Sequence, residues 1–286
     1  LFSPRQIAKN FLDFIGYSNL FLAFAVFCST IQGGFIFNNV SKPCTHFAFL
    51  NFFAAFFLYN LQRIYQSHFP TEEIRLLWYR KNKKWIFTLA IVFALIFSGA
   101  VWDIFTAYEQ GIYIYCICAI FSIFYFLPPF NLRKIPYIKQ FCIAFVWIMV
   151  CIVIPFLFGN NNFSNIDYFQ KDQSLYLISQ FCFIAAMCIP FDIRDVEKDK
   201  QEGTLSFPVL VGINKSKIIG ILLLAIYFVL SFFIDTVSLV GVRGIMFVVS
   251  GLVIYFSEPN RHRYYFVYLG DGVIILQTIL LYWLLQ

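Results

Sequence analysis

Asp192, Asp195 and Asp199 stand at spacing i, i+3, i+7, so a helix running through them carries three carboxylates along one face. Like charges so placed repel unless a cation sits among them. Hard divalent cations such as Mg2+ suit that position: they take oxygen ligands, use one or two carboxylates and bridge to phosphate oxygens. Arg194, Lys198 and Lys200 lie in the same run and can reach phosphate oxygens directly. The expected chemistry is a platform for a metal-bound diphosphate, with the three aspartates as its catalytic and metal-binding groups. The plainer alternative is a solvated helix end whose acids and bases pair with one another.

The elements that must position these groups are membrane helices. Of 286 residues, 60% are hydrophobic and 13% charged, with 39 Phe, 17 Tyr and 5 Trp. Soluble domains are nearer half apolar and a quarter charged, so a water-soluble globule, a disordered chain and a nucleic-acid binder are all excluded as readings. Long continuous apolar stretches, rather than about ten residues of alternating polarity, argue against a transmembrane barrel. The expected fold class is all-α, one polytopic membrane domain over residues 1–286. Apolar spans read at 17–37, 46–62, 85–102, 111–128, 137–158, 174–191, 217–235, 239–256 and 266–285, which makes nine.

Charge placement fixes an expected orientation. With the N-terminus inside, eighteen of the 21 Lys and Arg residues fall on the inner side, and only Lys42, Lys171 and Arg243 outside. A one-span error would scramble that alternation, so the split supports nine spans with an inside N-terminus and an outside C-terminus. No cleavable signal peptide is expected, since the opening residues lead into a span of full membrane length. The location implied is an integral membrane protein, of a bacterial inner membrane, with polar active-site loops facing the cytoplasm. The basic run from Arg63 to Lys84 suits anionic lipid headgroups, so membrane lipids are expected partners.

Rival chemistries are weak. Most of the eight cysteines lie inside apolar spans and read as small buried hydrophobes, and His46, His68 and His262 cluster with no cysteine pair. A phosphate-binding glycine loop, a nucleophile elbow and HExxH are all missing. A transporter is disfavoured because no inverted repeat is seen and few ionisable residues lie near span centres.

The run from Asp192 to Gly203, followed by Ser206, Pro208 and Gly212, resembles the second aspartate-rich motif and trailing segment of the UbiA superfamily of intramembrane prenyltransferases. Tyr125 through Lys134, with its paired prolines, is similar to that family's connector between helices four and five. The resemblance implies a helical bundle around a central cavity, with two aspartate-rich motifs facing each other near its cytoplasmic mouth. It also implies Mg2+ and an isoprenyl diphosphate, whose ionisation gives an allylic cation that alkylates an aromatic or other lipophilic acceptor.

The first motif departs from that pattern. Asn60 fits, but the three aspartate positions read Leu61, Ile64 and His68. Glu72 and Glu73 follow only after Phe69 and Pro70, and would have to fold back over the cavity. Arg63 offers two substitutes. It can bind phosphate bidentately in place of a metal, or pair with Asp192 or Asp195 and plug the mouth. Two functions therefore stand side by side. One is a divergent prenyltransferase in which Asn60, Arg63, Arg133, Lys134, Arg194, Lys198 and Lys200 hold the diphosphate. The other is a non-catalytic relative acting as a lipid-binding or scaffold component with protein subunits of a membrane complex. An open tunnel reaching Asp192 favours the first; an Arg63 salt bridge favours the second.

Overall fold

A computed structural model of the chain describes residues 3–36, 42–68, 73–96, 98–99, 102, 106, 109–126, 132–159 and 171–285, and among these there is no strand. The helices are α1 (Pro4–Tyr17), α2 (Leu20–Ile36), α3 (Lys42–Ser67), α4 (Ile74–Ile96) and α5 (Glu109–Phe126). After a short 3-10 turn at Leu132–Lys134 come α6 (Ile138–Ile148), a π turn (Met149–Val153) and α7 (Ile154–Gly159). Then follow α8 (Lys171–Arg194), α9 (Val196–Glu202), α10 (Phe207–Val211), α11 (Ile213–Ile234) and α12 (Val237–Tyr255). A second π turn (Tyr265–Gly270) leads into α13 (Asp271–Leu285).

Each of the nine apolar stretches overlaps a helix, but fewer meet the demands of a bilayer. Among the described residues six helices are long and apolar enough to cross, and a seventh span results if α1 and α2, bent by 57°, count as one. Nine crossings would require α4 and α5 to cross as well. α4 opens with Arg75, Arg80, Lys81, Lys83 and Lys84, and the apolar part of α5 is the short Tyr113–Tyr125.

The first stretch coincides with α2, and the residues before it form a helix of their own. Ser3 caps α1 by accepting the Gln6 N–H, and Pro4 supplies a first-turn residue with no amide hydrogen to satisfy. α1 is amphipathic, with Ile7 and Phe11 exposed beside Arg5 and Lys9. Such a helix suits the bilayer surface better than its interior. The bend into α2 falls at Asn19, whose φ of 59° is a conformation that asparagine tolerates better than most residues.

The core gathers around α8. Phe183, Ala185, Ala186 and Met187 are buried there, against Leu224 and Tyr227 of α11. Ala185 and Ala186 are small enough to let helix backbones approach where lipid provides no hydrophobic drive between helices. At Gly220 an added Cβ would come within 3.0 Å of Ile254 and 3.1 Å of Ile189. All eight cysteines are free.

At one end of the bundle Arg243 of α12 is wholly enclosed. Its Nε meets Asp235 Oδ2 at 2.5 Å, its Nη1 donates to Ser179 Oγ, and its guanidinium lies over Tyr176 and Tyr227. Only 3% of the Arg243 side chain and 4% of the Asp235 side chain are exposed. Removing one partner of a buried pair leaves an uncompensated charge and costs roughly 3–5 kcal/mol, whereas replacing both by apolar groups is close to neutral. Arg243→Met should therefore lower the melting temperature of the detergent-purified protein sharply, and the double variant Arg243→Met, Asp235→Leu should recover most of the loss. Two single variants as stable as the parent would refute the clamp.

Candidate active site

The acidic run folds as a helix end, a break and a short helix. Pro190, lacking an amide hydrogen, cannot donate to Ala186 in the last turns of α8, and the helix gives way at Asp195 (φ −92°, ψ 8°). The ladder nevertheless stays in register, because the Asp195 N–H donates to Phe191 O at 3.0 Å and the Asp199 N–H to Asp195 O at 2.8 Å. α9 ends at Gly203, whose φ of 68° allows its N–H to turn back toward the Lys200 carbonyl. Pro208 enters the first turn of α10, and Gly212, at φ 85° and ψ 160°, redirects the chain into α11. The glycines and proline of the trailing segment thus shape the turn that holds the ladder.

A lysine fills the ladder. Lys139, in the first turn of α6, places its Nζ 2.7 Å from Asp192 Oδ1 and 2.8 Å from Asp199 Oδ2. Gln140 donates its side-chain amide to Asp192 Oδ2. Tyr137, in a left-handed conformation (φ 63°), starts α6 and packs against Phe207, which fixes the approach of this lysine to α8. Asp195 pairs separately: Arg194 Nε and Nη2 meet its two oxygens at 2.7 and 2.8 Å.

Asn60 is structural rather than facing the ladder. Its amide donates to Ser18 O and Phe56 O, and its oxygen accepts from Asn19 and Tyr79. Arg75 joins this hub through Nη2, which donates to Asn19 Oδ1 and to the carbonyls of Gly16 and Tyr17. Burial, then the like charge of Arg63, pushes the Arg75 guanidinium's pKa down. Arg63 donates to Gln66 at 3.0 Å and is in no ion pair among the described residues, so the plug is not formed. The Nε atoms of both Arg63 and Arg75 are buried without a hydrogen-bond partner. Glu73 does fold back, pairing with Lys198 at 2.8 Å, while Glu72 lies outside the described residues.

These groups wall a charged cavity of about 190 Å³. Arg63, Arg75, Lys139, Arg194 and Lys198 line it with Asp192, Asp195, Asp199 and Asp271. A second cavity, of about 320 Å³, is lined mainly by apolar residues of α2, α3, α5 and α6. Tyr59, Gln62, Tyr125, Ile143 and Trp147 belong to both. Of the expected diphosphate ligands, Arg63, Arg194 and Lys198 are brought to the charged cavity. Lys134 is exposed away from it, Lys200 is exposed and paired with Glu197, and the Arg133 side chain lies outside the described residues. Lys139, Arg75 and Asp271 are additional. Asp271 carried a signal, being an acidic residue in an otherwise apolar span; Lys139 and Arg75 had none beyond their place on the inner side.

A sequence comparison with known families decides the identity: residues 80–265 match the UbiA prenyltransferase family. The chain belongs to that family. Its fold is similar to a structure solved in work on digeranylgeranylglyceryl phosphate synthase in membranes, with a TM-score of 0.50 and 18% identity over 94% of this chain and 96% of that one. No curated protein matches it in sequence. Together with the apolar helices, the family makes this an integral membrane protein.

For this UbiA relative the residues do not fit the Mg2+ centre that the resemblance implied. Among the described residues no three His, Cys, Asp or Glu side chains are grouped to hold a metal ion. The physical reason is Lys139, which supplies the positive charge that Asp192 and Asp199 need.

Two outcomes test the assignment of roles. Asn60→Ala removes a buried group with four hydrogen bonds and should destabilise the protein by roughly 1–3 kcal/mol. Arg63→Gln should cost less than that, since it removes a buried unpartnered donor on a side chain in no ion pair among the described residues; thermal denaturation of the two variants compares them directly. The pH dependence follows from Asp195. Burial raises its pKa, but Arg194, then Lys139 and Arg63, outweigh burial and hold the carboxyl below the usual range. A depressed folded value gives stabilisation that is complete above the unfolded pKa, about 3.9, and lost as pH falls through the folded one. The melting-temperature gap between the parent and Asp195→Asn should be constant above about pH 5 and narrow in more acid solution. A gap that widens with acid would contradict the pairing.

Proposed function

We propose that the protein is a divergent UbiA-type membrane prenyltransferase that moves an isoprenyl group from a diphosphate donor to a lipophilic or aromatic acceptor. The observation that carries this reading is the pair of cavities with a common wall: a charged cup of about 190 Å³ beside an apolar chamber of about 320 Å³. An isoprenyl diphosphate has the same division, a compact anion joined to a hydrocarbon chain. Arg63 and Arg75 face the diphosphate, and the chain lies between Tyr59 and Trp147 and on into the chamber. The C1–O bond breaks with its electron pair leaving on the diphosphate, where the guanidinium groups stabilise the charge. The acceptor then bonds to C1 and gives up a proton. Asp271, buried at the cup and in no ion pair among the described residues, is positioned to take it.

The orientation that goes with this reading has nine crossings, the N-terminus and the cup on the cytoplasmic side, and the C-terminus outside. All five basic residues of the cup belong to the inner-side set of the charge count, which supports it. A second reading, a relative that binds the lipid without turning it over, is favoured by Leu61, Ile64 and His68 at the positions of the first motif's carboxylates.

The test uses vesicles containing the purified protein, radiolabelled farnesyl diphosphate and a membrane lipid extract as acceptor. Release of pyrophosphate together with label in an extractable lipid supports transfer; binding without either product supports the second reading. Ala54→Phe, which fills the chamber, should weaken farnesyl diphosphate binding by about tenfold or more while leaving inorganic pyrophosphate affinity unchanged. Equal losses for both ligands would mean the chain does not occupy the chamber.

A further inference from the structure

We infer that this cup binds diphosphate without a divalent cation, Lys139 standing between Asp192 and Asp199 in the place a metal would take and Arg63 and Arg75 supplying the charge that meets the ligand. The inference rests on the prenyltransferase reading and deepens it.

Availability of carboxylate oxygens decides the matter. At least five of the six oxygens in the ladder are engaged: both of Asp192 by Lys139 and Gln140, both of Asp195 by Arg194, and one of Asp199 by Lys139. Mg2+ demands near-octahedral oxygen ligands and gives up its waters reluctantly, so it would have to expel a tethered ammonium from a buried site to gain them. The Lys139 side chain is 11% exposed, and the carboxylates it bridges are 3% and 1% exposed. Losing Lys139 to solvent would leave two neighbouring buried carboxylates facing each other until the ion arrived.

Among the described residues the opposite wall offers no second metal site. Where the first motif's acids would stand, the side chains are Leu61, Ile64 and His68, and the charged groups that reach the cup nearby are Arg63 and Arg75. Both have a buried Nε without an acceptor. Arg75 is also pinned by Asn19 and the Gly16 and Tyr17 carbonyls, so its guanidinium is held in position before a ligand enters. Guanidinium groups bind phosphate oxygens bidentately, and a prepositioned one loses little freedom in doing so. The remaining cations are already committed, Arg194 to Asp195 and Lys198 to Glu73. Arg63 and Arg75, near Glu73 and Asp271 but in no ion pair among the described residues, thus lie where a diphosphate would meet them.

The test measures farnesyl diphosphate binding to the full chain in lipid nanodiscs, by calorimetry, in EDTA and in Mg2+. Affinity in EDTA within about threefold of that in Mg2+ is the expected result. Binding seen only with Mg2+ overturns metal independence and leaves the prenyltransferase reading intact. Binding in neither condition, by protein with an unchanged melting temperature, overturns both. Lys139→Gln gives an independent reading: with its aspartates released, the melting temperature should rise on addition of Mn2+, while the parent's should not. A Mn2+-dependent rise in the parent itself would count against the inference, and the calorimetric comparison on the parent decides even if Lys139→Gln fails to fold.

Discussion

One ammonium between two buried carboxylates holds the functional end of this protein together. Asp192 and Asp199 are seven residues apart on either side of a helix break, and in an apolar bundle neither could remain charged alone. Lys139 resolves this from a different helix, reaching both at under 3 Å. The attraction must be judged against desolvation of three ions, so its value is less in net stability than in fixing geometry. It ties α6 to α8 and α9, and the left-handed Tyr137, the αL Gly203 and the turn to Gly212 are the backbone conditions that let those elements meet.

A second polar hub does the corresponding work on the opposite wall. The bend between α1 and α2 leaves carbonyls of Gly16, Tyr17 and Ser18 without helical partners, which inside a membrane protein must be satisfied. Arg75, Tyr79 and Asn60 satisfy them. The amphipathic α1, the bend at Asn19 and the placement of a guanidinium in the cup are therefore one structural event. It accounts for an asparagine at position 60 without assigning it a ligand.

This bears on what the sequence could disclose. The three aspartates, their order and the glycines and proline behind them were legible because they lie within one short stretch, where spacing determines which face each residue occupies. Lys139 was not, since periodicity describes a helix face but not which neighbouring helix it meets. The metal platform was inferred from three carboxylates in need of a cation; that need was real, and the cation came from a residue 53 positions before Asp192. The apolar stretches located the helices well, because burial in lipid is a property of the segment itself. The first stretch, 17–37, matches α2, while amphipathic α1 lies before it, and the stretches gave no guide to whether charged α4 crosses.

The two ends of the bundle hold arginines in contrasting states, and the contrast separates structural from functional cations. Arg243 has a carboxylate, a hydroxyl and two aromatic faces, and nothing about it asks for a ligand. Arg63 and Arg75 sit beside a cavity with donors unused, although a buried unused donor costs about 1–3 kcal/mol. A chain that satisfies one buried arginine fully is capable of satisfying the others. Two guanidinium groups short of acceptors and in no ion pair among the described residues, both at the charged cup and next to the apolar chamber, are the arrangement expected where the missing acceptor arrives on a lipid diphosphate.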